Sequence, residues 1–262
     1  MRKLLQKRMP VAVLALLAVC AFFIVPPPAA TADLNPAEQA KTESEAAAAL
    51  TKLGVPLQKD YRGVVRWIEA ANGEFSDEAM RYLPLLPALE WLEIGGGKVG
   101  ASEMARLKDC RSLVRLYIHD LNLGGDDLKW LANLTRLEAL SLQRTGISGR
   151  FLHNLSGAGA LTVLNLSGNE IVDSDMEQIA ALKNLEVLAL ADTKITGAGI
   201  AKLEGMKRLN ELNVMRCGIF DADLESFLTM PNLRIVYAEG CGLSDAGIGN
   251  VVVRFPMLAI FR

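Results

Sequence analysis
Apolar residues in this chain recur on a fixed period of 24. The segments LEWLEIGGGKV, LVRLYIHDLNL, LEALSLQRTGI, LTVLNLSGNEI, LEVLALADTKI, LNELNVMRCGI and LRIVYAEGCGL begin at Leu89, Leu113, Leu137, Leu161, Leu185, Leu209 and Leu233, each step being 24 residues. One period earlier, Val65 opens a degenerate copy, VRWIEAANGEF. At the far end MLAIFR restarts at Leu258, a step of 25, so eight repeats are read over 65–257 and an incomplete terminal strand over 258–262. Self-similarity at this interval predicts stacked units, because one unit is too small to bury its own apolar face.

Counting each repeat from its first residue as position 0, apolar side chains fall at positions 0, 3 and 5, as in Leu161, Leu164 and Leu166. The last two alternate with polar neighbours, which is the pattern of a strand with one buried face. Position 10 is apolar again, from Phe75 to Leu243. The spacing then changes to three: Leu128, Leu131 and Leu134; Ile200, Leu203 and Met206; Leu224, Phe227 and Met230. These stripes predict helices. Asp77, Asp173, Asp221 and Asp245 stand just before such stripes, where a carboxylate can accept from free helix-start N–H groups. Each unit therefore reads strand, turn, helix, return.

The segments resemble leucine-rich repeats of the form LxxLxLxx(N/T/C)x(L/I). Tails such as ITGAGIAKLEGM and LSDAGIGNVVVRF are similar to the 24-residue ITDxGLxxLxxL subtype, which occurs in many secreted bacterial repeat proteins and resembles the cysteine-containing repeats of F-box proteins. The resemblance covers 65–262. It implies an α/β fold: a right-handed leucine-rich-repeat solenoid, or horseshoe, with a concave parallel β-sheet and convex helices. It also implies protein–protein interaction rather than catalysis.

Outside the repeats, residues 33–64 read as an N-terminal helical cap, with 36–53 rich in Ala and Glu and stopped by Gly54. Residues 1–32 have the layout of a signal peptide: basic Arg2, Lys3, Lys7 and Arg8, an apolar run from Val11 to Val25, three prolines, and Ala30-Thr31-Ala32 as a small-x-small cleavage site. The expectation is export to the periplasm, cell envelope or medium, with no membrane span once the leader is removed. Without those four basic residues the chain holds 24 basic against 30 acidic residues, a net −6. An acidic body argues against nucleic acid as the main partner, since phosphates need a basic face.

If positions 3 and 5 point inward, positions 2, 4 and 6 line the concave face. Its N-terminal third then carries Trp67, Glu69, Trp91, Glu93, Arg115, Tyr117 and His119, followed by Gln143 and, on the rim, Arg144. At that rim position Asp120, Arg144, Asp192 and Arg216 alternate in sign. Trp, Tyr and Arg dominate binding energy at protein interfaces, which makes this patch the candidate partner-binding site. The competing reading stacks Trp67 on Trp91 under the cap as a purely structural pair. An envelope glycan stacking on Trp67, Trp91 and Tyr117 is an alternative ligand. Self-association through the apolar edge Leu258, Ile260 and Phe261 is another, giving a structural spacer.

Catalytic and metal chemistry finds no foothold. There is no CxxC pair, no HExxH and no GxSxG, so neither metal nor cofactor is expected. His119 beside Asp120 lacks a supporting constellation, and His153 reads as solvated surface. Cys217 and Cys241 share position 8 in neighbouring repeats, which the resemblance assigns to an inward Asn, Thr or Cys. A disulfide between them and two separate thiols both remain open.

Overall fold
A strand-forming pattern repeated at a constant interval should stack in register, and it does. The computed structural model describes residues 36–97, 99–124 and 128–262. The expected leader, 1–32, lies outside them. Nine strands recur: β2 (Val65–Ala70), β3 (Trp91–Gly95), β4 (Arg115–His119), β5 (Ala139–Gln143), β6 (Val163–Asn165), β7 (Val187–Ala189), β8 (Glu211–Asn213), β9 (Ile235–Tyr237) and β10 (Ala259–Phe261). All pair parallel in sequence order, each residue opposite the one 24 positions on, so that Trp67, Trp91, Arg115, Ala139, Val163, Val187, Glu211 and Ile235 form one column.

Inward columns make the core. Positions 3 and 5 of every repeat are fully buried, Ile68 to Val236 and Ala70 to Ala238, and position 10 is buried throughout. Because each leucine packs on its equivalents above and below, the core is one continuous column of apolar contacts. The convex return is tighter than the stripes suggested. Most repeats carry short α or 3-10 turns rather than long helices, such as Leu83–Leu85, Lys129–Asn133 and Leu224–Phe227. A 24-residue unit leaves few residues once its strand and two turns are formed, and 3-10 geometry rises further per residue than α.

The last strand departs from the residue count. Its register returns to a step of 24, with Ala259 opposite Ile235, because the main-chain bond from Ala259 N–H to Arg234 C=O sets the pairing. Leu258 is still buried while Met257 is exposed, so the extra residue is absorbed before the strand begins. The capping aspartates also differ from expectation. Asp77, Asp173 and Asp221 each reach forward and accept from a main-chain N–H in the following repeat, at Gly100, Thr196 and Ser244 (2.8 Å in each case). The local caps are Ser76, Thr196 and Ser244. Among the described residues no acidic, His or Cys group is arranged to hold a metal ion, and no helix is long and apolar enough to cross a membrane.

At the N-terminal end the helix Pro36–Lys52 places Ala46, Ala47 and Leu50 in the core, and Glu43 Oε1 accepts from Val65 N–H at 3.0 Å. A strand the sequence reading lacked, β1 (Leu57–Lys59), then pairs antiparallel with β2. It is three residues long, irregular in register at Gln58/Lys59 and ends on an exposed lysine, features that blunt a sheet edge.

Candidate binding face
Alternation along each strand turns positions 2 and 4 away from the core and onto the concave surface. Trp67 and Trp91 stand opposite each other on β2 and β3, both half-buried. Of the described cap, the helix feeds the core, and β1 extends the sheet edgewise with Gln58 beside Trp67. Arg115, next in the column, holds its guanidinium 5.5 Å from the centre of the Trp91 ring, a cation–π distance. Tyr117 packs on the same indole with ring centroids 5.5 Å apart at 54°.

Tyr117 requires a correction. It lies on the concave side but is only 6 % exposed, so it supports Trp91 and offers little surface of its own. Much of the middle of the face behaves likewise. Ala139, Ser141, Ser167, Ala189 and Ala191 are small and buried, since strands this close leave short side chains in a floor between longer neighbours.

Polar groups around the tryptophans form a chain. Glu69 and Glu93 are opposite each other, a like-charge pair that needs compensation. His119 supplies it: Nε2 lies 3.3 Å from Glu93 Oε1 and Nδ1 2.9 Å from Asp120 Oδ2. Both contacts raise the imidazole pKa, Glu93 more than Asp120, against opposing burial. The ring lies across Gly95, where a Cβ would sit 2.1 Å from Cε1. Asp120 in turn takes two bonds from Arg144, at 2.6 and 2.7 Å, and its carboxyl is held down at about 2, mainly by that guanidinium. Gln143 stands half-buried beside His119 in the register. The structure thus brings Trp67, Glu69, Trp91, Glu93, Arg115, His119 and Gln143 onto one face, with Arg144 exposed at its rim.

Cys217 and Cys241 are free thiols. Each points at a different main-chain carbonyl: Cys217 Sγ at Leu190 and Cys241 Sγ at Val214, both at 3.1 Å. The disulfide left open by the sequence is not formed: each thiol is turned to a carbonyl of the repeat before it, and Cys217 Sγ lies 3.6 Å from Thr193 Oγ1 on that side. At the same position Asn169 likewise donates to a carbonyl of the preceding repeat, Leu142, whereas Thr193 Oγ1 donates to Leu190 C=O in its own repeat. Sequence reasoning also passed over Glu211. It appears in the position-2 column as a single acid among aliphatics, and that contrast was the available signal.

Residues 161–180 match a family model described as Leucine Rich repeat. No curated protein matches the chain in sequence. Among solved structures, internalin C2 of Listeria monocytogenes is similar with a TM-score of 0.56 and 22% identity, over 79% of this chain and 88% of the internalin. A leucine-rich-repeat protein of Leptospira interrogans gives 0.52 and 19%, over 70% of this chain and 51% of that one. TLR13, solved in complex with ssRNA13, gives 0.52 and 24%, over 68% of this chain and 26% of its own length. At these identities the likeness is one of fold.

Proposed function
We propose that this chain, whose fold is that of leucine-rich-repeat proteins, is exported and binds a protein partner through the N-terminal third of its concave face, without catalysis of its own. The observation that carries this is the half-buried group of Trp67, Trp91 and Arg115 on the concave side, held by strand register and by stacking before any partner arrives. Preorganised aromatic and Arg side chains spend little ordering entropy on binding. His119 supports the non-catalytic reading, because both ring nitrogens already face carboxylates and neither is free to act as a base. A glycan is the weaker reading: Arg115 and Tyr117 already pack on the Trp91 ring that a sugar would need.

The test is paired capture from envelope extract with wild type, Trp67→Ala, Arg115→Ala and the convex control Lys183→Ala. Proteins retained by wild type and the control should fall at least about tenfold with the first two variants, as loss of a hot spot worth more than about 1.4 kcal/mol requires. Equal capture by all four, at unchanged Tm, would refute the assignment. Export is tested separately: the mature chain should begin at Asp33 on N-terminal sequencing.

A further inference from the structure
Glu211 is the anomaly of the concave face. It sits on β8 in the position-2 column between Val187 and Ile235, and Leu212 beside it is fully buried in the core, so the Glu211 side chain belongs to the concave side. It is 9 % exposed; its N–H donates to Glu186 C=O in the strand ladder, while its carboxylate has no hydrogen bond or ion pair among the described residues. A carboxylate that is largely desolvated and unpaired is costly to fold. Burial alone pushes its pKa up. Nearby charge adds to the negative field: Glu239 is exposed on the same face, whereas Arg216 is committed to Asp192.

We infer that Glu211 is a recognition site for a single cationic side chain, lysine or arginine, presented by an extended segment of the protein partner. This rests on the protein-binding reading and deepens it. The floor between the tryptophans and Glu211 is built of small residues, including Ala139, Ser141 and Ala189, so a chain can lie close to the sheet. Five strand spacings separate Trp91 from Glu211. At roughly 4.8 Å each that is about 24 Å, which an extended peptide covers in about seven residues. The partner segment therefore has one end seated on Trp67 and Trp91 and a basic residue about seven positions away. The cation supplies the counter-charge that Glu211 lacks, in a setting where charge-assisted bonds are strong.

The probe is N-acetyl-lysine methylamide, titrated into the full-length protein while backbone amide signals are followed by NMR. Saturable shifts are expected at Glu211, Leu212 and Ile235. N-acetyl-norleucine methylamide, which keeps the four-carbon side chain and lacks the ammonium, should produce none. Glu211→Gln should weaken the lysine probe by at least about tenfold, as loss of a charge-assisted bond implies. Ile235→Lys, which places a cation beside Glu211 within the chain, should block it too and guards against a misfolded Gln variant. Absence of saturable shifts, or equal binding by Glu211→Gln, would overturn the inference. If partner capture still depends on Trp67 and Arg115 in that event, only the cation site fails. If capture no longer depends on them, the concave-face reading fails with it.

Discussion

Position 7 of each repeat shows how much one residue can be asked to do. From the second repeat on it is occupied by Gly96, Asp120, Arg144, Gly168, Asp192, Arg216 and Gly240, and every one adopts a left-handed φ between +51° and +76°. The order Gly, Asp, Arg recurs every three repeats. Each Arg grips the Asp before it, and its Cγ would lie 2.6 or 2.7 Å from a Cβ on the Gly after it, at Gly168 and Gly240. Gly168→Ala should therefore destabilise by about 1–2 kcal/mol, the sum of left-handed strain and displacement of Arg144. In an Arg144→Ala background the cost should shrink toward the backbone share alone, which a double-mutant cycle by urea denaturation would read. The alternating signs were legible in the sequence as a rim ladder. The left-handed backbone was not, because Asp and Arg carry no glycine's warning.

His119 sets a pH signature at the same scale. Its pKa is raised by Glu93 and, less, by Asp120, so the protonated ring is favoured in the folded state. The contribution is complete below the unfolded value of about 6.5 and is lost as pH rises through the higher folded value. The Tm advantage of wild type over His119→Gln should be greatest near about pH 6 and shrink toward about pH 9. An advantage that grows with pH would contradict the Glu93 and Asp120 contacts.

Among the elements, the turns after β5 to β9 are stabilised by position 8, from Thr145 to Cys241. Asn169 Nδ2 donates to Leu142 C=O and Leu166 C=O at 2.5 and 3.0 Å, while its Oδ1 accepts from Thr145 N–H at 3.0 Å. All are buried, so Asn169→Ala leaves several main-chain groups unsatisfied and should cost about 3 kcal/mol. Hydrogen exchange should accelerate at Thr145 and Ile147 before other amides. Cys217→Ala removes only weak thiol contacts and should cost about 1 kcal/mol. That position 8 faces inward followed from the repeat pattern. Which neighbour each side chain bonds, and that Asp173 and Asp221 serve the next repeat rather than their own, depends on how far adjacent coils are offset. A single unit's sequence does not contain that distance.

At the scale of the whole molecule, neighbour-only contact is the governing fact. Periodicity revealed the solenoid because each repeat obeys the same local rule. It could not reveal that Tyr117 is buried, since that follows from how closely consecutive strands pack on the concave side. Stability in such a stack is a sum of unit and interface contributions, so damage should stay near its source. Leu50→Ala, in the N-terminal helix, and Leu188→Ala, in β7, each truncate a fully buried side chain and should each cost about 2–5 kcal/mol. Their exchange profiles should differ. Leu50→Ala should loosen β2 and β3 while leaving β7 and β8 at wild-type protection, because the far coils touch nothing that changed. Leu188→Ala should divide the stack and raise exchange on both sides of β7. Uniform acceleration in both variants would mean that the solenoid unfolds as one cooperative body. Trp67 and Glu211 would then share a single folding unit, and weakening the cap would cost partner binding at both ends of the face.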